Sequence, residues 1–163
     1  MNHLNYPPIE NHGVIGNLQT VALVSTDGAI DFMCFPSFDS PSVFAALLDG
    51  EKGGRFQIAP LIAEARQKQL YLPDSNILLT RFLSADGVAE ICDFMPVEPP
   101  WPGPCLLRQV KAIRGDLHFR LVCAPRFDYA RATHSVESKK NEVVFRSAGP
   151  DRLALRLASS VPL

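Results

Sequence analysis

Long apolar runs are missing from this sequence. No uninterrupted apolar stretch approaches the roughly 18 residues that a membrane-spanning helix requires, so we predict no membrane segment. Residues 1–13 carry neither the basic cluster nor the apolar core of a secretory signal peptide. We therefore expect a cytoplasmic location.

An excess of charge of either sign is also missing. The 163-residue chain has a formal net charge of −1, and 20% of its residues are charged. Nucleic-acid-binding domains and peripheral membrane proteins usually show a basic patch, so we expect neither nucleic acid nor a membrane as a partner. A single domain over 1–163 is large enough to bury about two-thirds of its unfolded surface.

Cysteine and histidine are too few and too scattered for a metal centre. The four cysteines include no Cys-x-x-Cys pair, and the four histidines show no ligand spacing. The sequence also lacks a phosphate-binding glycine loop, a His-Glu-x-x-His motif and a Gly-x-Ser-x-Gly motif. We predict no metal, no cofactor, and reduced thiols in the interior.

What the chain does contain is a series of short β-prone segments separated by Gly, Pro and Asp. Two Asp-Gly turns, Asp27-Gly28 and Asp86-Gly87, each lie between apolar segments and predict β-hairpins. Strands spaced by about 8–12 residues are typical of an antiparallel β-sandwich or barrel. We predict an all-β, antiparallel sandwich with strands at residues 20–24, 29–35, 55–59, 68–72, 76–83, 88–94, 106–113, 117–123, around 143–145 and at 153–157.

Two segments depart from this pattern. Ser40 is a suitable helix N-cap and Pro41 suits the first helical position, and apolar residues follow at helical spacing: Val43, Phe44, Leu47 and Leu48. We predict one short helix near residues 41–48. Residues 1–13, with Pro7-Pro8, predict an extended arm.

The acidic residues between Asp27 and Asp49 are the only group that suggests catalysis. A glycosidase needs two carboxyls on either side of the scissile bond, and Asp31 with Asp39 would be the pair. Turn and loop roles account for Asp27, Asp39 and Asp49 more simply, and we favour them. Asp31 differs because a buried acid within a strand needs a partner, which Arg81 or another domain could supply.

Two further segments could contact a ligand. Trp101, between prolines, could stack on a sugar ring, although a packing or interface role is the favoured interpretation. Arg126, Asp128 and Arg131 could form a polar cluster that reaches a ligand, and a solvated salt-bridge network is the simpler interpretation.

Short motifs occur in a fixed order from Tyr6 to Arg131, among them residues 27–31 (DGAID), 34–41 (CFPSFDSP), 53–56 (GGRF), 71–78 (YLPDSNIL), 93–96 (DFMP) and 125–131 (PRFDYAR). Together they resemble the N-terminal domain of bacterial and archaeal glucoamylase/trehalase-like proteins, glycoside hydrolase family fifteen. That family commonly has Asp-Trp at Asp31-Phe32 and Pro-Arg-Phe at Pro36-Ser37-Phe38. The missing arginine removes a bidentate donor.

The resemblance implies a β-supersandwich that packs against an (α/α)6 barrel, where two glutamates carry out an inverting hydrolysis. No part of this sequence matches that barrel, so we expect a non-catalytic, truncated domain that is inactive alone and also lacks its own last strands. Its expected partners are the barrel of the same polypeptide and, through the barrel, an α-glucoside such as trehalose or an α-glucan. A homodimer could cover the barrel-facing surface instead.

The residues expected at the substrate rim or barrel interface are Asp31, Phe32, Ser37, Phe38, Asp39 and Ser40. Two other functions stay open. The chain could be a free-standing carbohydrate-binding or interaction module that never had a barrel, or a small self-sufficient hydrolase that uses Asp31 and Asp39.

Overall fold

Almost all regular structure in the chain is β-strand. The computed structural model describes residues 6–99 and 102–163, and one 3-10 turn, Ile9–Asn11, precedes the strands. The strands are β1 His12–Gly16, β2 Val21–Ser25, β3 Ala29–Cys34, β4 Ser42–Phe44, β5 Arg55–Pro60, β6 Arg66–Tyr71, β7 Leu78–Leu83, β8 Val88–Phe94, β9 Leu107–Arg114, β10 Phe119–Ala124, β11 His134–Lys139, β12 Glu142–Ser147 and β13 Ala154–Ala158. Within the described ranges, no helix has the length and apolarity needed to cross a bilayer.

The strands form three antiparallel sheets. Sheet A has the order β1-β2-β3-β5-β10, with β4 paired to β3; sheet B has the order β6-β7-β8-β9; sheet C has the order β11-β12-β13. The buried core draws on all three, including Ile15 and Ile30 from sheet A, Phe82 and Ile91 from sheet B, and Phe145 from sheet C. The predicted all-β antiparallel sandwich is confirmed.

Both Asp-Gly hairpins form at the predicted positions. Gly28 has a φ of +81°, and a Cβ there would lie 2.2 Å from the carbonyl oxygen of Ile58. Only glycine fits, because a side chain would both strain the backbone and collide with β5. The second hairpin joins β7 to β8 through residues 84–87.

The predicted helix at residues 41–48 is wrong. Ser42–Phe44 is strand β4, which pairs with the end of β3 through Cys34 and Met33. The backbone N–H groups that a helix would use donate to distant carbonyls instead: Ala45 to Gly53, Ala46 to Gly54 and Leu47 to Asp31. The apolar spacing misled because its members do not share one buried face; Val43 is buried, whereas Leu48 is 63% exposed.

Besides β4, two strands were not predicted. The arm predicted over residues 1–13 runs into β1, where two glycines flank the apolar pair Val14-Ile15 and hide the alternation. Strand β11 is exposed along most of its length, so its sequence carries no apolar period of two to find.

A cavity of about 740 Å³ lies between sheets A and C beside residues 102–107. Its walls are mainly apolar and include Met33, Phe44, Phe56, Cys123 and Leu155. Burial raises the pKa of the Cys123 thiol to about 12, so this thiol is uncharged at neutral pH. The cysteines are half-buried rather than fully buried, and no disulfide occurs among the described residues.

A buried ion pair connects sheet B to sheet A. On β9, the Nε of Arg108 donates to Oδ1 of Asp93 at 2.8 Å, and its Nη2 donates to Oδ2 at 3.1 Å. The same guanidinium donates to the carbonyls of Phe56 at 2.8 Å and Gly28 at 2.7 Å in sheet A. Both side chains are almost fully buried, at 3% and 0% exposure, so each charge depends on the other.

We predict that Arg108→Met lowers the free energy of unfolding by about 3–5 kcal/mol, because it leaves the Asp93 carboxylate buried without a counter-charge. Urea unfolding followed by circular dichroism measures the change. Arg146→Met is the control: its pair with Glu137 is 3.4 Å long and more than half exposed, and its loss should cost less than about 1 kcal/mol. Equal losses for the two variants would contradict the role given to Arg108.

Candidate functional site

Asp31 lies at a β-bulge in β3. Leu23 pairs with Phe32 and Val24 pairs with Ile30, so Asp31 has no partner residue opposite it in β2. The carbonyl oxygen of Asp31 instead accepts the N–H of Leu47 at 3.0 Å. A bulge turns the side chain of its extra residue away from the regular alternation, which explains how an acid fits between two apolar neighbours.

The partner of Asp31 is His12, the first residue of β1. The His12 Nε2 and the Asp31 Oδ2 are 2.8 Å apart, and the two side chains are only 1% and 7% exposed. Arg81, which the sequence offered as a partner, instead donates through its Nε to Glu90 on β8 at 2.7 Å. His12 was missed because it lies in the segment interpreted as an arm.

One proton is shared between His12 and Asp31. The His12 Nδ1 lies 3.1 Å from the carbonyl oxygen of Pro8, which can only accept, so Nδ1 carries a hydrogen. The proton between Nε2 and Oδ2 then belongs either to an imidazolium facing a carboxylate or to a carboxylic acid facing a neutral imidazole. The pair is neutral overall in both cases. Burial raises the pKa of Asp31, and the hydrogen bond from His12 partly offsets this.

Asp31 also lines a cavity of about 280 Å³ whose other walls are Tyr6, Pro7, Ser25, Asp27, Ala29, Ala46, Gly50 and Arg55. The second carboxyl oxygen, Oδ1, is buried and has no hydrogen-bond partner in the described part of the chain. An unsatisfied buried oxygen costs about 1–3 kcal/mol, so it marks a place where a donor is missing.

The two other ionic groups of this cavity differ in how far they are engaged. Asp27 accepts hydrogen bonds from the N–H of Ala29 at 3.1 Å, the side-chain amide of Gln57 at 2.9 Å and the Ser25 hydroxyl. The Arg55 side chain is exposed and forms no hydrogen bond or ion pair with any residue within 6–99 and 102–163. Arg55 is therefore a cation without a partner in the described chain among the residues that line the cavity, and the sequence analysis did not single it out.

The loop after β3 is held together by its own hydroxyls. The Ser37 Oγ donates to Asp39 Oδ1 at 2.7 Å and lies 2.9 Å from the Ser40 Oγ. The hydrogen bond from Ser37 lowers the pKa of Asp39, and the N–H of Phe38 donates to the carbonyl of Gln19 at 2.9 Å. Phe38 itself is 57% exposed, an apolar ring on an ordered loop.

The predicted rim residues thus divide between two places. None of the four loop residues lines the cavity at Asp31, and Phe32 is half-buried opposite Leu23. The two acids of the hypothetical catalytic pair are in different environments. The Asp31 carboxyl is buried and paired with His12, whereas the Asp39 carboxyl is exposed and accepts a hydrogen bond from Ser37.

Three of the secondary candidates, Arg126, Asp128 and Arg131, lie in the loop between β10 and β11. Asp128 and Arg131 form an exposed pair, with Oδ1 and Nη2 2.6 Å apart, and the Arg131 guanidinium lies over the Tyr129 ring. The charge interaction with Cys34 and, after it, a hydrogen bond with Cys34 raise the pKa of Tyr129 and connect this segment to β3. Arg126 donates to the adjacent carbonyl of Pro125 at 3.2 Å. Trp101 lies outside the described residues.

Among the residues that the structure describes, no group of three His, Cys, Asp or Glu side chains could hold a metal ion. The residues that line the cavity at Asp31 include a buried acid with an unpartnered oxygen, the exposed Arg55 and the aromatic Tyr6.

The chain matches the family described as trehalase-like, N-terminal, over residues 3–158, and it belongs to that family.

Individual relatives agree with the family. The chain is 31% identical over 162 residues to a trehalase of Thermoplasma volcanium, a match that covers 97% of this chain and 26% of that protein. It is 37% identical over 150 residues to trehalase 1 of Sulfolobus acidocaldarius, covering 92% and 25%, and 30% identical over 149 residues to a trehalase of Mycolicibacterium smegmatis, covering 81% and 22%. The chain therefore spans about a quarter of the length of these curated relatives. No solved structure gives a significant match.

We predict that Ser37→Ala raises the pKa of Asp39 toward its ordinary value of 3.8, because the hydroxyl that stabilises the carboxylate is lost. The lowered pKa means that this contribution to stability is present above pH 3.8 and is lost as the pH falls. Carboxyl-detected NMR titration measures the pKa. Asp49 is the internal control, since backbone N–H groups of Lys52 and Glu51 lower its pKa; a parallel rise of both values would contradict a local effect.

Proposed function

We propose that this chain is the non-catalytic N-terminal domain of a trehalase-like enzyme of glycoside hydrolase family fifteen. In this proposal the hydrolysis of an α-linked glucoside, trehalose or an α-glucan end, takes place in an (α/α)6 barrel of the same polypeptide. The domain packs on that barrel and shapes the rim of its active site.

The proposal rests on how much of this chain, and how much of its trehalase relatives, the alignments cover. Almost the whole chain, 97%, aligns with a trehalase, yet the alignment accounts for only 26% of that trehalase. Three-quarters of such an enzyme is thus available for catalysis elsewhere. The state of the acids supports the same division, because Asp31 is buried against His12 and Asp39 is exposed in a loop, whereas a glycosidase needs two carboxyls that face one bond.

We assign the barrel-facing surface to the face that carries the loop of residues 36–41, which follows Asp31 and Phe32 along the chain. The exposed Phe38 ring supports this choice, since an ordered loop that presents a large apolar side chain is suited to a protein interface. The hydrogen bonds among Ser37, Asp39 and Ser40 fix the loop in advance, which limits the entropy lost on contact.

Hydrolysis of trehalose and maltooligosaccharides tests the division of labour. We predict no turnover by the 163-residue chain and turnover by a longer protein in which a catalytic domain follows it. Activity in the 163-residue chain would make Asp31 and Asp39 catalytic candidates and overturn the proposal. A longer protein without activity on either substrate would favour a free-standing binding module.

Variants of the loop in that longer protein test the rim. Phe38→Ser removes the exposed ring and should lower kcat/KM by about tenfold, which corresponds to about 1.4 kcal/mol. Asp49→Ala is the control, because Asp49 is also a loop acid whose neighbours are its own backbone N–H groups; it should leave kcat/KM unchanged. Unchanged turnover of a folded Phe38→Ser variant would rule out a rim role for the loop.

A further inference from the structure

We propose that the turn of residues 128–130 is a second part of the surface that docks on the catalytic domain, and that Tyr129 is its anchor. The inference rests on the proposed function, because the partner is the catalytic domain of the same polypeptide. It adds a contact element from a different connection of the fold, the one between β10 and β11.

The backbone of this turn is left-handed at three consecutive residues. Asp128, Tyr129 and Ala130 have φ values of +51°, +52° and +65°, whereas the other non-glycine residues with a positive φ in the described ranges are isolated ones. L-residues normally visit the left-handed region one at a time, because the Cβ comes close to the following carbonyl oxygen. The turn therefore holds more backbone strain than any single left-handed residue of the chain.

The connection itself does not require this conformation. It runs over residues 125–133, and most connections in compact domains manage with about 4–6 residues. The fully buried Phe127 fixes the base of the turn, and its carbonyl oxygen accepts the Ala132 N–H at 3.2 Å. Strain that a fold retains is concentrated at binding and switching positions, so we infer a use for the turn beyond joining two strands.

The turn lies against both ends of the loop of residues 36–41. Cys34, just before the loop, forms a hydrogen bond with Tyr129. The carbonyl oxygen of Val43, just after the loop, accepts the N–H of Arg126 at 2.8 Å. Because β4 pairs with the end of β3, the loop and the turn are neighbours on the same part of sheet A.

The exposed side chains of the loop and the turn are of the kinds that protein interfaces favour. Phe38 is 57% exposed and Tyr129 is 45% exposed, and the Arg131 guanidinium lies 5.7 Å from the centre of the Tyr129 ring. Aromatic residues and arginine are enriched at the centres of protein interfaces. A small-molecule site is a cavity, and neither of the two cavities described above includes a residue of the turn. A protein surface is therefore the fitting partner.

The turn is fixed before any contact is made. The Arg131 N–H donates to the Asp128 carbonyl at 2.9 Å, the Arg131 Nε donates to the same oxygen at 3.1 Å, and Nη2 lies 2.6 Å from Oδ1 of Asp128. A surface that is already ordered loses little entropy on binding. This ordering holds the Tyr129 ring in place for a partner.

The rest of the polypeptide supplies that partner. The match to the trehalase of Thermoplasma volcanium covers 97% of this chain and 26% of that protein. A domain tethered to its partner is present at a high effective concentration, so a few anchoring side chains are enough to hold it. Phe38 in the loop is one such anchor, and Tyr129 in the turn is the second.

Hydrogen exchange compares the 163-residue chain with the longer protein in which a catalytic domain follows it. We expect the amides of residues 128–132 to exchange at least about tenfold more slowly in the longer protein, because docking excludes water from the turn. Residues 66–68 of β6, an exposed edge strand of sheet B, are the internal control and should exchange at the same rate in both proteins.

A substitution at Tyr129 tests the anchor. Tyr129→Asn removes the ring and keeps a residue type that tolerates the left-handed region. In the longer protein it should speed exchange in residues 37–40 by at least about tenfold, whereas in the 163-residue chain it should leave that exchange unchanged. Leu70→Asn on β6 is the matched control, since Leu70 is an apolar side chain with 44% exposure, and it should change neither protein.

Three results would overturn the proposal. They are equal exchange of the turn in the two proteins, a loop that stays protected in the folded Tyr129→Asn longer protein, and a loop that already exchanges faster in the Tyr129→Asn 163-residue chain. The last result would make Tyr129 an internal support of the loop. Because the readout is protection and not turnover, the two proposals fail separately: an inactive longer protein with a protected turn contradicts the proposed function, and an active one with an unprotected turn contradicts only this inference.

Discussion

The whole sandwich depends on one buried guanidinium. Arg108 belongs to sheet B, yet the two carbonyls to which it donates are those of Phe56 in β5 of sheet A and of Gly28 in the β2–β3 turn of that sheet. Apolar packing between two sheets sets a distance but tolerates sliding, because dispersion is non-directional. The four directional hydrogen bonds of the Arg108 guanidinium also fix the position of one sheet along the other. The Asp93 carboxylate makes it possible to bury the positive charge of Arg108, because it supplies the counter-charge.

The position of this guanidinium also explains why the β3 region can carry irregular features. With Gly28 held from sheet B, the hairpin that leads into β3 is fixed at its turn. The strand then pairs with β5 through Ala29 and Ile30, directly before the bulge at Asp31. A buried, partly unsatisfied acid is destabilising by itself. The fold tolerates that cost where its scaffold is most constrained, which is the usual setting of a binding site.

Much of the fold could be predicted from the sequence, and the site could be predicted only in part. Turn residues act locally, so Asp27-Gly28 and Asp86-Gly87 placed their hairpins correctly. The helix at 41–48 was wrong because the partners that decide β4 are distant backbone groups such as Gly53 and Gly54. Asp31 stood out as an acid in a strand, but its partner His12 lies 19 residues away and no local pattern connects them. Arg55 is an ordinary exposed arginine in the sequence, and only the cavity distinguishes it.

The bond from Arg108 to Gly28 also bears on the order in which the chain can assemble. It joins residues 80 positions apart, whereas the hairpins close over a few residues. The entropy of closing a loop rises with its length, and a contact between remote segments forms only after the local ones have lowered that cost. The docking of sheet B on sheet A therefore follows the closure of the hairpins, and a nascent chain cannot complete its core until Phe145 of β12 has been synthesised.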